Sequence, residues 1–262
     1  MKPPIIIDVN CLCGHWPFRK VPRHSFADLC QIHQENGISG GFVASLDSIF
    51  YADPMEGDMD LQEQIKDSHY CLIQTVNPMH PALAADLNLG QTHLKSAGVR
   101  IYPGYHGYSL LEPQVAHMMT LLAQHKLPLF LPLRMEDERM DHLITPIPAD
   151  LEQLQRFITA HPQQTIVLLN VRMGEIFKLK DVLKASPHVF VDISGFKEYQ
   201  FSVEKAVAAV GADHIVYGSL YPLYSFKSTL LSLDKADLTT DDRIAVASGN
   251  AMTALGLMSG NA

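Results

Sequence analysis

Eight short apolar runs, each followed by an amphipathic stretch, constrain this chain more than any other feature. They cover residues 4–9, 40–46, 70–76, 99–103, 128–133, 165–171, 189–193 and 215–219. Each is hydrophobic at consecutive positions, as a strand covered on both faces must be. The stretches between them carry helical spacing, for example 152–160 and 113–124, the latter with Pro113 in its first turn. Eight strand-then-helix units predict an α/β fold, a (β/α)8 TIM barrel over residues 1–262 as one domain, with a C-terminal helical tail at 240–257. The competing doubly wound sheet opens on a glycine-rich turn. The segment Asp8-Val9-Asn10-Cys11-Leu12-Cys13-Gly14 is not one.

Composition narrows the function. Apolar residues make up 47% and charged residues 18%, enough for a continuous core and too little charge for disorder. No apolar run reaches the ~18 residues of a membrane span, and the first residues form no signal segment, so a cytoplasmic protein with no membrane partner is expected. The four cysteines form no CxxC pair, which fits a reducing compartment. A net charge of -8 with singly scattered cations argues against nucleic acid. The expected partner is a small molecule, with a second copy of the chain as a further possibility.

In such a barrel the chemistry sits where strands end. The polar residues there include Asp8, Asn10, Asn77, His80, Arg100, His106, Arg134, Asn170, Arg172, Asp192, Ser194, Ser219 and Tyr221. Arg100, Arg134 and Arg172 suit a carboxylate or other anion, since guanidinium binds such groups bidentately. Alternatively they pair with Asp137, Glu136 and Glu175 as structural bridges. The period of two places Asp8 on one face with Asn10 and Leu12, as a candidate general base or an arginine's partner. Cys11 and Cys13 then face the helices as packing residues. His106, in Gly104-Tyr105-His106-Gly107-Tyr108, is the candidate general acid or base, or else a loop hydrogen bonder. His15-Trp16-Pro17-Phe18-Arg19 reads as a lid or pocket wall, or as aromatics packed on the rim.

Five segments together resemble the amidohydrolase superfamily, specifically the amidohydrolase-related barrels that include small-acid decarboxylases and lactone hydrolases. Residues 6–14 resemble its opening Ile-Asp-x-His-x-His-x-Gly; 127–132 and 162–170 resemble strands five and six, which normally end in histidine. Residues 217–222 resemble Gly-Ser-Asp-Tyr-Pro, and Ser248-Gly249-Asn250-Ala251 the start of the last helix. The resemblance implies a TIM barrel with a divalent metal, usually zinc. The positions matching the family's ligands and base hold Asn10, Leu12, Pro132, Asn170 and Leu220. Asparagine, leucine and proline supply neither imidazole nor carboxylate, so the expectation is no metal and no cofactor. Ligands gathered from His15, His80, His106 and His142 are the alternative source, while His33 and other helix histidines are set aside. The expected function is a metal-free pseudoenzyme or binding protein for a small anionic or carboxylated ligand, held by Asn10, Arg100, Arg134, Asn170, Arg172 and Tyr221. The alternative is an active hydrolase or decarboxylase on a small carboxylated substrate, using Asp8 and His106 or a rebuilt site.

Overall fold

All eight apolar runs become parallel strands: β1 Ile7–Cys13, β2 Gly40–Ser45, β3 Tyr70–Thr75, β4 Gly98–Arg100, β5 Leu129–Pro132, β6 Ile166–Leu169, β7 Val189–Asp192 and β8 Ile215–Val216. They pair in sequence order. The ring closes where Val9 N donates to Tyr217 O at 3.0 Å and Leu12 N to Tyr221 O at 2.9 Å. This is the expected TIM barrel. The computed structural model describes residues 5–136, 146, 148–197 and 200–255.

The helices around it are α1 Phe26–Glu35, α2 Pro54–Ile65, α3 Leu83–Leu89, α4 Pro103–His106, α5 Pro113–His125, α6 Leu151–Ala160, α7 Met173–Lys184, α8 Ser202–Val210, α9 Phe226–Asp234, α10 Thr240–Ile244 and α11 Asn250–Ala254. Their starts follow from local chemistry. Ser25 caps α1 in a reciprocal box with Asp28, Asp53 caps α2 ahead of Pro54, and Asp150 caps α6. The C-terminal tail comprises α10, a wider turn at 245–249 and α11; residues 256–257 of the expected tail lie outside the described residues. No helix among the described residues is long and apolar enough to cross a membrane.

Alternation divides the core into two layers. Val9, Phe42, Ile73, Phe130, Val167, Phe190 and Val216 fill the bore. Val43, Leu72, Val99, Leu129, Leu168, Val191 and Ile215 pack outward under the helices. One strand breaks the rule. Between Asp8 and Cys11 the β1–β2 register slips, three steps on β1 matching two on β2, which is a β-bulge. Gly41 makes room for it: a Cβ there would stand 2.6 Å from the Asp8 carbonyl oxygen and 2.9 Å from Cys11 Sγ. The bulge corrects the period-two expectation. Asn10 and Leu12 face the bore, whereas the Asp8 carboxylate turns toward α1, on the side of Cys11.

Candidate active site

At the C-terminal end of the bore, Asn10 joins a cation to an acid. Its Oδ1 accepts from Arg100 Nη1 at 3.0 Å and its Nδ2 donates to Asp192 Oδ2 at 2.7 Å. The other oxygen of Asp192 accepts from Asn170 N at 2.7 Å and Ser194 Oγ at 3.0 Å. Asn170 reaches that oxygen because its backbone is left-handed (φ 55°), a conformation asparagine tolerates. Gly218 leaves the space, since a Cβ there would meet Asp192 Oδ2 at 2.5 Å. Asp192 is fully buried. Burial lifts its pKa to about 6 against the lowering effect of the bonds from Asn10, Ser194 and Asn170, with Asp8 adding a smaller upward push.

Arg100 is the unusual member. It is only 1% exposed, and its hydrogen bonds end on the Asn10 amide and on Met135 Sδ at 3.6 Å. Its Nε has no partner, and no carboxylate pairs with it among the described residues. Two buried hydroxyls stand with it, on Thr75 (the β3 register partner of Arg100) and Tyr102: the guanidinium lies 5.4 Å from the Tyr102 ring centroid, and the Tyr102 hydroxyl interacts with the Thr75 and Arg100 side chains. A buried guanidinium with an unpartnered Nε is costly unless an acceptor arrives. Asp58 on α2 is a further buried carboxylate in this region. It accepts from Ser48 Oγ and Thr75 N, and burial raises its pKa despite those bonds.

An aromatic layer covers the bore. Trp16 is buried and meets Phe18, Phe50 and Tyr105 at ring separations of 5.1, 5.6 and 6.0 Å, edge to face. Arg19 ties the loop down through Glu136 and the Leu223 carbonyl. A cleft of about 250 Å³ opens beside this layer between α4, α5 and α6, but Asn10, Arg100 and Asp192 do not line it.

The remaining expected site residues are dispersed. Arg134 forms a bidentate pair with Glu175 and also donates to Asn170 O, a structural bridge with a different partner from the Glu136 expected, which meets Arg19 instead. Arg172 opens α7, its N–H donating to Glu175 Oε2 at 2.8 Å. Asn170 Nδ2 donates to Arg134 O and Tyr224 Oη. Tyr221 sends its hydroxyl to the Arg23 carbonyl at 2.6 Å, in the outer layer. His106 Nε2 bonds the Ile49 carbonyl at 2.9 Å, and burial lowers its pKa against the raising effect of that bond. Asp8 Oδ1 accepts from Asn10 N and Ser219 N, each at 3.0 Å, while Oδ2 faces His33. Only Asn10, Arg100 and Asn170 meet around Asp192. Asp192 and Ser194 were visible as strand-end residues, but nothing in their spacing linked them to Asn10; Asp58 comes from a helix and gave no signal.

The fold and this layout can be set beside known proteins. The family model described as Amidohydrolase matches residues 72–257. The chain belongs to the amidohydrolase family. No curated protein matches it in sequence. Among solved structures it is similar to a Novosphingobium aromaticivorans 5-carboxyvanillate decarboxylase holding manganese and a nitrobenzoic acid, at 15% identity, TM-score 0.76 and 97% coverage of both chains. A Polaromonas dihydroxybenzoic acid decarboxylase with manganese and 2-nitroresorcinol gives 13%, 0.77 and 98% of both chains. A Rhizobium 2,6-dihydroxybenzoate decarboxylase gives 14%, 0.73, and 99% of this chain against 100% of that one. At such identities the likeness is one of fold.

The expectation of no metal and no cofactor requires correction. Two of the similar structures hold manganese, and in this chain Asp8, Cys11 and His33 bring three ligand atoms within 4.8 Å of one another. The bulge hid this group from the sequence, because it turns Asp8 onto the Cys11 side, where α1 delivers His33. The group lies outside the bore, against α1. At the bore itself, Asn10, Leu12, Pro132, Asn170 and Leu220 occupy the positions the resemblance gives to ligands, and both oxygens of Asp192 are already engaged. The donor set therefore fits an ion in the outer layer and not in the bore. Of the loop histidines, His80 pairs with Asp86 and His106 with Ile49, and His142 lies outside the described residues.

Proposed function

We propose that this amidohydrolase is a decarboxylase of a small aromatic carboxylic acid, its carboxylate seated on Arg100 and its ring beneath Trp16, Phe18, Phe50 and Tyr105. The observation that carries this reading is the buried Arg100, which has no carboxylate partner among the described residues. A substrate carboxylate supplies the acceptor oxygen that Arg100 Nε lacks among the described residues, beside the Thr75 and Tyr102 hydroxyls. The aromatic cover suits an aryl ring, and the fold is shared with decarboxylases whose structures hold benzoic acids or resorcinols. The alternative of an active enzyme is thereby favoured over a pseudoenzyme. The whole of residues 1–262 acts as one domain serving this site, and its four free cysteines suit a reducing compartment.

The reaction needs a proton and no oxidant. The bond from ring carbon to carboxyl carbon breaks, its electron pair stays with the ring carbon, and carbon dioxide leaves. The ring carbon takes its proton from the protonated Asp192 carboxyl, which recovers one from water. Burial prepares this donor, because an acid with a pKa of about 6 is partly protonated near neutrality. Asn10, between Arg100 and Asp192, fixes the spacing of the group that holds the carboxylate and the group that delivers the proton. A metal would be held by Asp8, Cys11 and His33, and from the outer layer it would anchor β1 to α1.

Carbon dioxide release from a panel of hydroxybenzoic acids, with and without added manganese or zinc, tests the proposal. At least one acid should release one carbon dioxide per product, with one solvent deuteron on the vacated ring carbon in deuterium oxide. Binding without release would return the chain to the binding-protein reading, and no binding would remove both.

A further inference from the structure

We infer that Asp8, Cys11 and His33 form a zinc-class metal site that staples the β1 bulge to α1, separate from the site at the bore. Asp8 and His33 are 0% and 1% exposed, and Asp8 Oδ2 and His33 Nε2 face each other as a buried acid–imidazole pair at 3.4 Å with no other partner among the described residues. That separation exceeds the usual 2.7–3.2 Å range for N–H···O bonds. It does match two ligands on one tetrahedral ion: metal–oxygen and metal–nitrogen bonds of about 2.1 Å set an edge of about 3.4 Å. Cys11 Sγ lies within 4.8 Å of a ligand atom on each of the other two residues. A sulfur edge of the same tetrahedron is about 3.6 Å, so the ion draws the thiol in on binding.

The surroundings complete the case. Tyr70 Oη lies 2.8 Å from His33 Nδ1, holding the ring so that Nε2 is directed at Asp8. An outer hydrogen bond of this kind commonly orients a metal-bound imidazole. Phe226 packs on the same ring and keeps it in place. The thiol of Cys11 bonds the Asp8 carbonyl at 3.5 Å, a weak bond it can give up. On binding, the thiol releases its proton to solvent, and a divalent ion then balances one carboxylate and one thiolate in a buried place where an unbalanced charge is costly. A sulfur donor beside imidazole and carboxylate selects zinc or cobalt over manganese or magnesium.

Cobalt(II) and zinc(II) on the full chain test this without relying on turnover. One equivalent of cobalt should bind and give a thiolate-to-cobalt charge-transfer band, and zinc should displace it and raise Tm. Cys11→Ser should lose the band and the Tm rise, while Cys71→Ser, a cysteine outside the group, should keep both. His33→Gln should lose stoichiometric uptake. Uptake by the unmutated chain below about a tenth of an equivalent, a cobalt spectrum with no thiolate band, or a band that survives Cys11→Ser would each overturn the site. The first of these would leave His33 and Asp8 as an ordinary buried pair. Because the readouts are uptake, spectrum and Tm, failure here is distinguishable from failure of the decarboxylase reading.

Discussion

Arg100→Met is expected to reduce kcat/KM for the substrate acid by about 30-fold to several thousand-fold, while Tm stays level or rises. The range follows from losing one partner of a buried, hydrogen-bonded charge pair, which costs about 2–5 kcal/mol. Stability should hold because methionine fills much of the space of an arginine that is 1% exposed, and the variant removes a guanidinium with an unpartnered Nε. Replacing a buried ionic group by an apolar one of similar volume is commonly neutral or stabilising. A structural role predicts the opposite pattern: Tm would fall and the residual folded protein would turn over normally. Steady-state kinetics with a thermal melt on the same preparation separates the two.

The second large effect concerns Asp192. As proton donor it must be protonated, so kcat/KM should be flat below pH of about 6 and fall about tenfold per unit above it. Asp192→Asn, which has no proton to give, should lose turnover across the whole range. Folding provides an independent check on the same group. Burial raises its folded pKa from the ordinary aspartate range to about 6, so the folded state binds the proton more tightly than the unfolded chain. This group's contribution is therefore most favourable below about pH 4 and is lost as pH rises from about 4 to 6. Above that it costs about 3 kcal/mol. The groups around it are the donors Asn10, Ser194 and Asn170, the more distant Asp8, and Arg100 through Asn10. A pH–rate profile with no break between pH 5 and 7, roughly a unit either side of that value, would remove Asp192 as the donor.

The barrel was legible because strand and helix periods are local properties. Runs such as 165–171 and 189–193 announce doubly covered strands in their own composition, and each strand formed within its run or within a few residues of it. The resemblance was likewise legible in short segments, and the family match confirms it. The site was less so. Asp192 sits 182 positions from Asn10, and only barrel closure makes them neighbours. Arg134 and Arg100 looked equivalent at strand ends, yet one meets Glu175 of α7 and the other meets the Asn10 amide of β1 and a thioether after β5, partners far away in the sequence. Asp8 was misplaced for a definable reason. A rule of strict alternation cannot show a bulge, and one extra residue in β1 moves a carboxylate from the bore to the helix layer. His33 was passed over as a helix histidine because its significance depends on that same shift.

The central claim is that the bore takes a carboxylate on Arg100 beneath the aromatic cover. Trp16 is the only tryptophan in the chain and belongs to that cover, so its emission reports on the site directly. The most direct test is to titrate the unmutated protein with a hydroxybenzoic acid and, separately, with the matching benzamide, following Trp16 fluorescence. The account predicts a saturable change with the acid, little or none with the neutral amide, and loss of that preference in Arg100→Met. Equal responses to acid and amide, or a preference that survives Arg100→Met, would contradict it.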